Sequence, residues 1–210
     1  MRGSYFKQLE VLHTELIRMG AFCEEAIGCA IRGLLEENED LGKKVIFMEE
    51  AINEKEREIE YFCTRLLLRE QPVARDLRQI MTAQKMIIDM ERIGDQAADI
   101  AELSTFMGGS RVKSDIHIAD MAAAAIKMLT DSVDSFVQGD VEKAYKVIES
   151  DDIVDDLFEK VKSELLAMIL EDSSTGGECL DLLMIAKYLE RIGDHAVNIA
   201  ESVVYSITGL

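Results

Sequence analysis

The sequence predicts an all-α protein, a tandem repeat of two three-helix bundles with six long helices. Apolar residues recur at steps of three and four along most of the 210 residues, the period of a helix buried on one side. The chain has one proline and no tryptophan, which argues against a sheet rich in turns. Residues 91–102, ERIGDQAADIAE, match residues 190–201, ERIGDHAVNIAE, in nine of twelve positions, which indicates an internal duplication.

The first half is predicted to contain three helices. One apolar seam covers residues 9–34, and a break at about residues 36–42 separates it from a second seam over residues 45–66. Pro72 is expected in the first turn of the third helix, where its missing N–H costs nothing, and that seam continues to residue 101. The glycines that follow end the half, so the first predicted domain covers residues 1–108.

The second half repeats this pattern in residues 114–210. Its three helices are predicted at about residues 116–138, 141–171 and 179–207. Gly139 and Asp140 separate the first of these helices from the second, and a segment of Ser, Thr and Gly separates the second from the third.

Charge and composition exclude several classes of protein. The 41 acidic residues outnumber the 23 basic ones and give a net charge of −18, which repels nucleic-acid phosphates. The longest apolar run, residues 121–126, is far too short to span a membrane, so we expect any membrane association to go through a partner. The four cysteines lack CxxC spacing and lie in apolar helical patterns, which favours buried free thiols and a cytoplasmic location.

The repeated segments contain pairs of carboxylates four residues apart, and these are the candidate functional groups. Residues i and i+4 lie on one helix face, so each repeated segment places two negative charges side by side. A bound cation could relieve the repulsion between them. If the second and third helices of each half pack together, a second polar pair faces each of these pairs. The candidate metal ligands are therefore Glu49, Asn53, Glu91 and Asp95 in the first half, and Asp151, Asp155, Glu190 and Asp194 in the second.

Oxygen ligands without cysteine or paired histidine favour Mg, Ca, Mn or Fe over structural zinc. The alternative is an ordinary solvated helix face, in which the acids pair with Arg92, Arg191 or nearby lysines. Gly94 and Gly193 interrupt their helices, and close packing is the expected reason. A metal-dependent enzyme is disfavoured, since the di-iron type needs two Glu-x-x-His pairs and the chain has one, Glu10 with His13. The chain also has no Gly-rich phosphate loop and no nucleophile elbow.

These motifs resemble the PhoU family. The resemblance rests on the duplicated ERIGD helices, on Gln71-Pro72 and Asp76-Leu77-Arg78 ahead of the first copy, and on the ERIGDHAVNIAE segment near the C-terminus. It implies a cytoplasmic, homodimeric, non-enzymatic adaptor that acts on the phosphate ABC transporter ATPase and on the phosphate-sensing histidine kinase. Such an adaptor represses the phosphate-starvation response when phosphate is plentiful.

The resemblance also implies multinuclear metal clusters, of iron or zinc among others, at the acidic motifs. One departure is that the first half has Glu49 and Asn53 where the second has Asp151 and Asp155, so its facing pair offers one carboxylate fewer. The alternative function is a PhoU-like metal-binding accessory subunit of another ion transporter.

Overall fold

The computed structural model describes residues 2–107 and 116–209. The first half contains α1 (Arg2–Glu36), α2 (Glu39–Glu70) and α3 (Arg75–Phe106). The second contains α4 (Ile118–Gln138), α5 (Val141–Glu149), α6 (Asp151–Glu171), a 3₁₀ turn (Ser173–Thr175) and α7 (Gly176–Thr208). The described ranges contain no strand, so the all-α prediction is confirmed. The predicted domain boundaries at residues 108 and 114 lie outside the described residues.

Two details of the predicted helices were wrong. Pro72 does not lie in a helix, because α3 begins only at Arg75 and the backbone of Gln71 and Ala74 has positive φ angles of 45° and 51°. The helix predicted over residues 141–171 is interrupted at Ser150. At this point the N–H of Ser150 donates to both Lys146 O and Val147 O, at 3.0 Å each, and its hydroxyl donates to Lys146 O at 2.6 Å.

The two halves share one hydrophobic core. Helix α1 packs on α2 and α3 and also on α4, while α3 packs along α7. Apolar side chains from all these helices join in a single buried cluster, for example Leu16, Ile52 and Ile87 from the first half and Leu129 and Ile185 from the second. Burial of aliphatic side chains contributes about 1.5–3 kcal/mol each, so the shared core holds the repeats together.

Close helix packing explains the glycines of the repeated motifs, as the sequence predicted. A Cβ at Gly94 on α3 would lie 3.0 Å from Cδ1 and 3.2 Å from Cγ2 of Ile52 on α2. A Cβ at Gly193 on α7 would lie 3.4 Å from Cγ1 of Val154 on α6. Glycine therefore lets α3 and α7 approach their neighbours, most tightly in the first half.

All four cysteines, Cys23, Cys29, Cys63 and Cys179, are free and buried, which confirms that part of the sequence prediction. Burial raises the pKa of the Cys23 and Cys63 thiols above the ordinary value, to about 12 for Cys63. In the described part of the chain, no helix is both long and apolar enough to cross a bilayer.

Candidate metal centres

The first acidic cluster, which we define as Glu49, Asn53, Glu56, Glu91 and Asp95, lies between α2 and α3. Burial, together with the charges of Asp95, Glu56 and Glu49, raises the pKa of Glu91. Burial and nearby carboxylates, including Asp95, also raise the pKa of Glu56. The carboxylates on α2 and α3 therefore lie near enough to repel one another.

Arg92 partly neutralises this cluster. Its guanidinium lies 3.4 Å from Oε2 of Glu91 and 3.1 Å from Oδ2 of Asp95. The side chain of Arg92 is 57% exposed, so these ion pairs stabilise the fold only weakly. On the α2 side, the amide of Asn53 donates to Oε1 of Glu49. The buried Oδ1 of Asn53 accepts no hydrogen bond within the described structure.

The second acidic cluster, which we define as Asp151, Asp155, Glu190 and Asp194, lies between α6 and α7. Oδ1 of Asp151 would lie 3.6 Å from a Cβ at Gly193, so the carboxylate reaches the α7 surface between Glu190 and Asp194. Burial, followed by the charges of Asp155, Asp194 and Glu190, raises the pKa of Asp151 to about 6. Lys187 donates to Oε2 of Glu190 and partly offsets this repulsion.

The composition of both clusters fits a hard or borderline cation. All eight predicted ligands offer carboxylate or amide oxygens, and the buried Oδ1 of Asn53 is an oxygen without a donor. As the side chains stand, however, no three Asp, Glu, His or Cys residues of the described ranges converge in a geometry that could hold a metal ion. The ligand role of the eight predicted residues thus stays a prediction.

A polar contact between the halves lies beside these clusters. Nδ1 of His195 on α7 is 2.9 Å from Oδ1 of Asp89 on α3, and Nδ2 of Asn198 donates to the same oxygen at 3.2 Å. Burial, followed by the charges of Asp95 and Glu102, raises the pKa of Asp99 on α3, and Arg191 on α7 partly offsets this rise. The polar faces of α3 and α7 therefore interact across the centre of the molecule.

Sequence reasoning placed the eight candidates on the correct helices but missed several of their neighbours. Glu56 joins the first cluster and could have been found, since it follows Asn53 by three residues on the same helix face. Asp89 could not, because its partners lie more than a hundred residues away on α7. For the same reason, the partner that His195 has in Asp89 between the halves is not visible in the sequence.

Comparison with known proteins decides the family. The model of the PhoU domain matches residues 16–104 and again residues 118–203. The chain belongs to the PhoU family. The two matches also confirm the internal duplication that the repeated ERIGD helices predicted.

Relatives within the PhoU family extend over nearly the whole chain. The phosphate-specific transport system accessory protein PhoU homolog of Clostridium acetobutylicum is 38% identical over 99% of this chain and 96% of its own length. The accessory protein PhoU of Escherichia coli K12 is 32% identical over 99% of this chain and 86% of its own length. Both matches extend over both halves of this chain.

Solved structures of PhoU proteins share the fold. The crystal structure of PhoU from Pseudomonas aeruginosa superposes with a TM-score of 0.91 at 32% identity, covering 98% of this chain and all of that one. The phosphate transport system regulatory protein PhoU from Streptococcus pneumoniae superposes with a TM-score of 0.89 at 25% identity, with 98% of both chains covered. The tandem arrangement of three-helix halves is therefore that of the PhoU fold.

Proposed function

We propose that this protein is an accessory regulator of phosphate-specific transport. In this proposal it acts in the cytoplasm on the phosphate ABC transporter ATPase and on the phosphate-sensing histidine kinase, and it represses the phosphate-starvation response. The single observation that carries the proposal is the match, over 99% of the chain, to accessory proteins of the phosphate-specific transport system. Binding to protein partners, rather than catalysis, is the proposed activity, with a homodimer as the functional unit.

The metal centres are part of the same proposal. The first acidic cluster would hold a cation through Glu49, Asn53, Glu91 and Asp95, and the second through Asp151, Asp155, Glu190 and Asp194. A bound cation, such as Fe, Zn, Mn, Mg or Ca, singly or in a multinuclear cluster, would neutralise carboxylates that now repel one another. The support is the raised pKa of Glu91 and Asp151 and the unpartnered oxygen of Asn53.

Deletion of the gene in its host tests the regulatory role. Alkaline phosphatase activity and phosphate uptake are measured in phosphate-rich medium, with and without complementation. We expect the deletion to raise phosphatase activity and wild-type protein to restore repression. Unchanged phosphate control after deletion would contradict the proposal and would direct attention to a transporter for another ion.

Complementation with variants then tests the acidic clusters. The test variant is Glu91→Ala/Asp95→Ala/Glu190→Ala/Asp194→Ala, and the matched control removes four exposed carboxylates elsewhere: Glu36→Ala/Glu142→Ala/Asp156→Ala/Glu171→Ala. Circular dichroism verifies that both variants fold. We expect the control to restore repression and the test variant to fail. Equal repression by both would show that the clusters have no part in regulation.

A further inference from the structure

Each acidic cluster has a basic side chain in contact with its carboxylates. In the first cluster, the guanidinium of Arg92 lies 3.4 Å from Oε2 of Glu91 and 3.1 Å from Oδ2 of Asp95. In the second cluster, the ammonium group of Lys187 donates to Oε2 of Glu190. In both halves, a cation that belongs to the chain itself therefore lies beside the pair of carboxylates four residues apart.

The two repeats supply these cations from different positions. Arg92 follows Glu91 directly, whereas Lys187 precedes Glu190 by three residues. When the repeats are aligned, the residue that corresponds to Lys187 in the first half is Ile88, which carries no charge. The two clusters therefore share a contacting cation although no single sequence position provides it.

Arg191 is the repeat equivalent of Arg92, but it interacts with a different group. Within the described residues, Arg191 forms no ion pair with a carboxylate of the second cluster. It instead lies near Asp99 on α3, where its charge partly offsets the rise in pKa that burial and neighbouring carboxylates cause. Helices α3 and α7 run antiparallel, and the repeat equivalent of Asp99 is the uncharged Asn198. Arg92 therefore has no such carboxylate on α7 and stays with its own cluster.

Both contacting cations can leave their clusters without a change in helix packing. The side chains of Arg92 and Lys187 are 57% and 42% exposed, whereas Glu91 and Glu190, which they contact, are only 21% and 16% exposed. Exposed ion pairs of this kind are weak. Because both cations end long, flexible side chains, they can turn into solvent while the carboxylates remain in place.

We propose, on the basis of the metal centres proposed above, that Arg92 and Lys187 are internal counter-ions that a bound metal ion displaces. In the metal-free protein they offset part of the repulsion among the carboxylates. A metal ion on the same carboxylate oxygens is repelled by a cation in contact with those oxygens, so the metal binds as the side chain withdraws. Arg92 and Lys187 therefore lower the metal affinity of their centres.

The two counter-ions differ in strength. Arg92 contacts both carboxylates of its pair, and a guanidinium presents several donors in a fixed plane. Lys187 donates to Glu190 alone, and its ammonium group also lies 5.6 Å from the ring centre of Phe158 on α6. We therefore expect Arg92 to lower the affinity of the first centre more than Lys187 lowers that of the second.

Titration with Mn²⁺ measures each centre by itself. Asp151→Asn/Asp155→Asn leaves only the first centre, and Glu91→Gln/Asp95→Asn leaves only the second. The full-length, chelator-treated protein is titrated in each of these two parent backgrounds. Free Mn²⁺ is followed by electron paramagnetic resonance, which gives the dissociation constant.

Removal of either counter-ion should tighten Mn²⁺ binding. Arg92→Ala should lower the dissociation constant of the first centre about three- to tenfold, and Lys187→Ala that of the second about two- to threefold. Arg92→Lys, which keeps the charge but loses the planar fork, should have a smaller effect than Arg92→Ala. The direction is diagnostic, because loss of a residue that only orders the ligands would weaken metal binding.

Two variants provide matched controls. Arg191→Ala removes the same charge from the equivalent position of the second repeat. Arg65→Ala removes a charge from an exposed position on α2, where the guanidinium lies over the ring of Tyr61. Because solvent and salt screen more distant charges, each control should change the Mn²⁺ dissociation constant of either centre by less than about twofold. Circular dichroism verifies that every variant is folded.

The outcomes separate this role from the metal centres themselves. Unchanged or weaker Mn²⁺ binding in Arg92→Ala, when its parent binds Mn²⁺, would overturn the counter-ion role. Equal tightening by Arg92→Ala and Arg65→Ala would also overturn it, since net charge alone would then explain the change. Absence of Mn²⁺ binding in the wild type and in every variant would instead contradict the metal proposal on which the counter-ion role rests.

Discussion

Nδ1 of His195 lies 2.9 Å from Oδ1 of Asp89, and this contact joins the two copies of the repeated helix across the centre of the molecule. Both side chains are largely buried, with 23% and 18% of their surfaces exposed. Asn198 donates to the same carboxylate oxygen. A partly buried carboxylate with two donors is costly to disrupt, because removing it leaves the donors without an acceptor.

A double-mutant cycle measures this contact. We expect Asp89→Ala and His195→Ala each to lower the free energy of unfolding by about 1–2 kcal/mol. Because the two residues interact, the double variant should lose less than the sum, with a coupling energy of about 0.5–1.5 kcal/mol. Urea denaturation followed by circular dichroism provides the values. Additive losses would show that the contact contributes nothing of its own.

Gly94→Ala tests the close approach of α3 to α2. The added methyl group would press on Ile52, and overpacking of this kind costs about 1–3 kcal/mol, more than the roughly 1 kcal/mol that alanine gains in a helix. We therefore expect a lower melting temperature. Gly28→Ala on α1, where no atom lies within 4 Å of the new Cβ, should raise it. Ile52→Val, which removes Cδ1, should partly rescue Gly94→Ala; no rescue would contradict this explanation.

The pKa of Asp151 predicts a pH dependence of stability. Since its folded-state pKa is about 6 and its ordinary value is 3.8, the folded protein binds the proton more tightly than the unfolded chain does. Asp151 therefore destabilises the metal-free fold above pH 6, and this cost disappears as the pH falls from about 6 to 4. Asp151→Asn should stabilise the protein at pH 7 by about 1 kcal/mol, after discounting for solvent screening.

Chemical denaturation of the chelator-treated protein at pH 4, 5, 6 and 7 checks this prediction. The stability gained by Asp151→Asn should shrink toward zero at pH 4. Asp156→Asn, at an exposed position on the same helix, provides the control and should show no such trend. An equal effect of Asp151→Asn at every pH would contradict the assigned cause.

Manganese binding tests the metal proposal directly. Equilibrium dialysis of the chelator-treated protein counts bound Mn²⁺, and a cation at one hundred times its dissociation constant should stabilise the fold by about 2.7 kcal/mol. Glu91→Gln/Asp95→Asn should remove binding at the first cluster, and Asp151→Asn/Asp155→Asn at the second. An unchanged count in both variants would place the metal elsewhere.

Ala74→Gly tests the strain in the α2–α3 connection. Glycine adopts positive φ without a Cβ penalty, so the change should stabilise the protein by about 0.5–1 kcal/mol despite the added entropy of the unfolded chain. Ala26→Gly, in the buried part of α1, should destabilise it. A loss of stability in Ala74→Gly would indicate that the alanine methyl group makes a favourable contact.

Much of the fold was readable from the sequence because local periodicity determines which helix face is buried. The seams over residues 9–34 and 45–66 correspond to buried positions such as Leu12, Leu16 and Ile59. The repeated motif placed Glu91 and Glu190 at equivalent positions, and Gly94 correctly indicated close packing. These features depend on spacing within a single helix.

Features that depend on long-range register could not be read in this way. The pairing of Asp89 with His195 requires the alignment of α3 against α7, which no local pattern specifies. The break at Ser150 lies within a continuous apolar pattern, between the buried Val147 and Val154, so the periodicity does not mark it. The unusual backbone at Ala74 arises where the chain turns beyond Pro72, and alanine is not a residue that signals positive φ.

The buried cysteines can report when the helices of the bundle separate. Because alkylating reagents attack thiolates, the inaccessible Cys23 and Cys63 should react only when the helices separate. Labelling rates at each site would then report how often α1 leaves α3, at Cys23, and how often the C-terminal part of α2 detaches, at Cys63. A partner or cation that tightens the bundle would slow these reactions without any engineered label.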